Sequence, residues 1–93
     1  MFRDYVKYAE NYYFNLNGCQ LSENDMDECL NQCKNTLISN FITHLNIKKN
    51  NFTNYKISKI LETFVNVKKI IVSDINMIEV DVAAISIEII CES

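Results

Sequence analysis

The stretch Ile78-Glu79-Val80-Asp81-Val82-Ala83-Ala84-Ile85-Ser86-Ile87-Glu88-Ile89-Ile90-Cys91 decides the class of this fold. Apolar residues alternate along it, at 78, 80 and 82 and then at 85, 87 and 89, as in a strand with one buried face. The parity flips at Ala83-Ala84, which a β-bulge or a turn would produce. Just upstream, Ile70 to Ser73 reads as a first strand and Asp74-Ile75-Asn76 as turn chemistry. Before Lys69 the apolar spacing becomes helical. The expectation is an α+β chain in one domain, residues 1–93, with three helices (2–17, 22–46 and 53–66) ahead of a small antiparallel sheet of two or three strands over 70–91.

Each helix rests on its own signals. In the first, Phe2, Tyr5, Val6, Ala9, Tyr13 and Leu16 fall in one stripe, with Tyr8 and Tyr12 on its flank and Asn17-Gly18 as a stop. Phe14 lies on the polar side of that helix, near Arg3, Lys7 and Glu10, where the sheet or a partner would cover it. The second begins at the clearest local signal in the chain, where Ser22 and Asp25 make a capping box and Leu21 can staple onto Met26. Its stripe runs through Leu30, Cys33, Leu37, Phe41 and Leu45. The third buries Ile57, Ile60, Leu61 and Phe64 and shows Tyr55, Lys56 and Lys59 on its other face. No internal repeat is visible.

Composition narrows the function classes. The chain holds 13 Asn, 13 Ile and 8 Lys against one Arg, one Gly and no Pro or Trp, a usage that fits A/T-rich coding. With a single glycine there is no phosphate-cradling loop, so nucleotide-loop enzymes are excluded. No apolar run reaches the ~20 residues of a membrane span, and Met1 opens into an amphipathic pattern rather than a signal peptide. A cytoplasmic protein is expected, in the host cytoplasm if the source is a virus.

The net charge of −3 hides an uneven layout. Lys48, Lys49, Lys56, Lys59, Lys68 and Lys69 face only Glu62 within their segment, between two acidic flanks. Three helices followed by a hairpin is the order of a winged-helix domain, so Lys48, Lys49, Tyr55, Lys56, Lys59, Lys68 and Lys69 form the alternative, nucleic-acid-binding reading. The surface carries no arginine for guanine, and an acidic pI weakens non-specific binding.

Catalytic and metal signals are thin. Cys29 and Cys33 stand one helical turn apart, but Cys-x3-Cys without a second matched pair reads as buried small hydrophobes. His44, the single histidine, sits within an apolar stripe. No cofactor, metal or catalytic residue is expected. The leading reading is a non-enzymatic protein-interaction module, self-associating, of the kind a phage or virus encodes as an accessory or inhibitor protein against a host partner. Its contacts fall to Tyr8, Tyr12 and Phe14 and to the strand residues Glu88 and Ile90, because aromatic and exposed apolar side chains dominate interface energetics.

Overall fold

Short segments of two to four residues scattered through the whole chain, rather than one C-terminal run, build the sheet. The computed structural model describes residues 3–83 and 86–92. Within it, β1 (Ala9–Glu10) turns back antiparallel on β2 (Tyr13–Asn15). Asn11, at φ 54°, takes the left-handed conformation this tight turn needs. The next strand, β3 (His44–Asn46), lies parallel to β2. Further on come β4 (Tyr55–Lys56), β5 (Lys69–Val72), β6 (Ile78–Glu79) and β7 (Glu88–Cys91). The main sheet has the order β1-β2-β3-β5-β7, parallel from β2 onward, and β4 pairs with β6 in a separate two-stranded parallel sheet.

Parallel neighbours need crossovers, and here the crossovers shrink. Tyr13, His44, Lys69 and Glu88 are successive register partners, so 31, 25 and then 19 residues separate equivalent points. The first crossover carries α1 (Glu23–Lys34) and α2 (Ile38–Phe41), the second β4 and α3 (Ile57–Thr63), and the third only a 3-10 turn, Ile75–Met77, with β6. Parallel strands in chain order, with crossovers whose residues join one core cluster, divide this part of the chain into comparable layers. Aligned by strand register, the layers share one spacing: Phe14-x-Leu16-x-x-Cys19-x-Leu21, then Leu45-x-Ile47-x-x-Asn50-x-Phe52, then Ile70-x-Val72-x-x-Ile75-x-Met77.

Alternation along each strand sends Phe14, Leu45 and Ile70 inward in one row and Leu16, Ile47 and Val72 in the next, all fully buried. Met26, Cys29, Leu30 and Cys33 of α1 and Ile57 and Ile60 of α3 close over these rows in one cluster. Each large side chain so buried contributes roughly 1.5–3 kcal/mol. The corner after β3 is held by Asn50. Its amide Nδ2 donates to the carbonyls of Leu16 and Ile47 at 2.9 Å and of Lys48 at 3.1 Å, and its Oδ1 accepts from Leu21 N at 2.8 Å. One side chain thus satisfies backbone groups of two layers that water cannot fully reach.

Several expectations are corrected. The start of the second helix is as read: Ser22 Oγ accepts from Asp25 N, and Asp25 Oδ2 accepts from Ser22 N. Its length is not, since α1 stops at Lys34 and Leu45 belongs to a strand. The first helix, expected over 2–17, is a 3-10 turn at Val6–Tyr8 followed by the β1–β2 hairpin. Phe14 therefore does not face solvent but lies at 0% exposure against Phe64, ring centroids 5.6 Å apart. The third helix shortens to Ile57–Thr63. The sheet is mixed and five-stranded, not a small antiparallel one. The parity flip cannot be placed, because Ala84 and Ile85 lie outside the described residues. Among those described, no helix is long and apolar enough to cross a membrane.

Candidate interaction surface of the sheet

Residues that alternate with the core rows face the other way, and two lines of them cross the sheet. One line runs Glu10, Tyr13, His44, Lys69, Glu88 through all five strands. The other runs Asn15, Asn46, Ile71, Ile90. Directly opposed residues share a face. None of these nine joins the core cluster, although Asn46 and Ile71, at the middle of the sheet, are nearly covered by their own neighbours.

The surface changes character from end to end. At the β1 end it is aromatic and polar. The His44 ring stacks on Tyr13 at 6.4 Å and meets Tyr12 edge-on at 5.1 Å, and Thr43 Oγ1 lies 2.8 Å from its Nδ1. Asn46 Nδ2 donates to the Tyr13 hydroxyl at 2.9 Å. Tyr12 itself is 56% exposed, yet its backbone is fixed, because its carbonyl accepts from both Thr43 N and His44 N. At the β7 end the surface is aliphatic, with Ile71 and Ile90 beside an ion pair of Lys69 and Glu88 at 3.6 Å.

The two edges of the sheet differ as well. The first edge strand is β1, only two residues long and antiparallel to its neighbour, so it offers little backbone to pair with. The last, β7, has no neighbour beyond it among the described residues. Glu88 N donates to Lys68 O and Glu92 N to Val72 O, both towards β5. Alternation then turns the N–H and C=O of Ile89 and Cys91 outward, to a free edge. Such an edge is a template for another strand, and its usual guards are weak here. Glu88 and Glu92 flank it, but each is drawn to a lysine, Glu92 to Lys48 at 3.2 Å.

The residues expected to make contacts thus separate. Tyr8 and Tyr12 line one surface pocket near the hairpin. Glu88 and Ile90 stand together on β7, at the far end of the sheet. Phe14 belongs to the core. Alternation signalled the β7 positions, whereas Tyr8 and Tyr12 were named from the flank of a helical stripe that the structure replaces with a turn and a hairpin. Tyr13, His44, Asn46 and Ile71 were missed as members of the outer sheet face because their parity is legible only once the short strands are known.

The lysine-rich set does not gather into one basic face. Lys69 lies on the sheet, whereas Lys56 and Lys59 lie at α3, across the core. Lys59 sits 3.4 Å from Asp27 and over the Tyr55 ring, and Tyr55 is buried with its hydroxyl donating to Asp27 at 2.6 Å. Burial, then that hydrogen bond, push the Tyr55 phenol well above its ordinary pKa.

The thiols also resolve into structure. Cys29 and Cys33 are both fully buried on α1. A hydrogen bond with Cys33, then burial, raise Cys29 far above the usual thiol range, so it stays protonated and poorly nucleophilic. Among the described residues no three His, Cys, Asp or Glu side chains converge as a metal-binding group. No known family model, curated protein or solved structure matches this chain.

Proposed function

We propose that this chain is a non-enzymatic protein-interaction module, a short solenoid of leucine-rich-repeat type, whose copies associate through β7. The repeat reading rests on Ile42-x-x-Leu45-x-Ile47-x-x-Asn50-x-Phe52, which has the apolar and asparagine spacing of such repeats, and on parallel strands stacked in chain order. The interaction reading rests on one observation: of the two edge strands β1 is only two residues long, whereas β7 has four and presents two outward N–H groups beside an aliphatic, charge-balanced flank. Among the described residues nothing covers that edge, and an exposed strand edge is a template for another strand.

Sedimentation velocity across a concentration series tests the association. The wild-type chain is expected to shift from monomer to a larger species as concentration rises. Cys91→Pro removes an edge donor without touching the β5–β7 ladder, so that variant should remain monomeric, while Cys91→Ser, which keeps the donor, should behave as wild type. A wild-type chain that stays monomeric at millimolar concentration, or a proline variant that associates equally well, overturns the assignment.

A further inference from the structure

The aromatic end of the sheet carries a second feature, independent of the β7 edge. Tyr8, Glu10, Asn11, Tyr12, Tyr13 and Asn15 line an open pocket of about 310 Å³. Its lining holds three phenol rings, two amides and one carboxylate, and no basic side chain. Glu10 is exposed and takes part in no ion pair among the described residues, whereas Glu88, the acid at the opposite end of the same line, is matched by Lys69. A carboxylate beside tyrosine rings attracts positive charge twice over, by Coulomb attraction and through the negative faces of the rings. One lining ring already shows the attraction within the chain, since Lys7 Nζ lies 5.3 Å and Arg3 Cζ 5.9 Å from the Tyr8 ring centroid, which leaves Tyr12 and Tyr13 for an incoming cation.

The pocket is also held in shape without a ligand. The hairpin turn fixes Asn11 and Tyr12, two N–H groups fasten the Tyr12 carbonyl, and the imidazole of His44 braces both Tyr12 and Tyr13. A large aromatic ring left mostly in water on so firm a support is poised to bind rather than to fill space.

We propose that this pocket receives a cationic side chain, the ammonium of a lysine or the guanidinium of an arginine, presented by a partner polypeptide. Glu10 supplies the charge, and Tyr12 and Tyr13 supply ring faces. An anionic ligand would meet the unmatched carboxylate and is disfavoured.

The test is a titration of the 15N-labelled chain, followed by amide chemical shifts, with three blocked tripeptides that differ only at the centre: Gly-Lys-Gly, Gly-Arg-Gly and neutral Gly-Gln-Gly. Saturable shifts confined to residues 8–15 and 44 are expected with a cationic peptide and not with the glutamine peptide. Glu10→Gln should weaken that binding at least about fivefold, and Tyr12→Leu should abolish it while the rest of the spectrum stays in place. Equal shifts with the neutral peptide, no saturable shift with either cationic peptide, or unchanged affinity in Glu10→Gln overturns the proposal. Each of these outcomes is independent of whether copies associate at β7.

Discussion

At the scale of single residues, Asn50 holds more of the backbone than any apolar side chain does. Two amide hydrogens are shared among three carbonyls, and the amide oxygen takes the Leu21 N–H, tying the first layer to the second. Asn50→Ala should therefore cost roughly 2–4 kcal/mol, since it leaves several partly buried backbone groups without partners. Urea unfolding would read this as a lower midpoint with an unchanged slope. The equivalent positions are Cys19, half-buried, and Ile75, 52% exposed, so the third layer lacks this tie altogether. Phe14 shows the opposite lesson. Its place on a helical wheel put it among Arg3, Lys7 and Glu10, but on a strand its neighbours are Leu45 and Phe64.

At the scale of elements, what could be read depended on length. The start of α1 was legible because its signal is local: Ser22, Asp25 and the apolar residues that follow form one self-contained cap. Its end was not legible, because Cys33, Leu37, Phe41 and Leu45 keep helical spacing across a break. Leu37 and Phe41 turn out 75% and 62% exposed, so the stripe was fortuitous there. Strands of two to four residues are too short for alternation to stand out, and the spacing shared by the layers is concealed by crossovers of unequal length. The aromatic end of the sheet surface was hidden for the same reason. α3 depends on an element far away in sequence: Lys56, at its N-cap, provides no side-chain bond, and Asp81 serves instead, accepting from Ser58 N at 2.9 Å and from the Ser58 hydroxyl. Those hydrogen bonds, the hydroxyl's first, hold Asp81 below the ordinary carboxylate range, and Ser22 does the same for Asp25 through its backbone and then its side chain. A carboxylate with a lowered pKa stabilises the fold above its unfolded value and loses that contribution as pH falls through the folded one. Melting temperature should accordingly fall between about pH 5 and pH 2, and an Asp81→Asn variant should start lower and fall less steeply.

At the scale of the whole molecule, layers that touch only their neighbours share stability unevenly. β3 and β5 have a strand on each side, and β7 has one. Hydrogen exchange should protect the amides of Leu45 and Ile70 most, protect Ile90 less, and leave Ile89 and Cys91 fast unless a second copy covers them. Protection of Ile89 equal to that of Ile70 in dilute monomer would contradict this gradient. The shortening crossovers carry a separate consequence, for curvature. Strands in a sheet sit about 4.8 Å apart, whereas packed helices need about 8–10 Å between axes. Where α1 lies beside α3 the back of the stack must therefore fan wider than its front. In the third crossover a three-residue turn replaces the helix, and that mismatch disappears. On that spacing the sheet is expected to curve at its aromatic end, around His44, and to flatten towards Ile90, so that one sheet would offer two differently shaped surfaces.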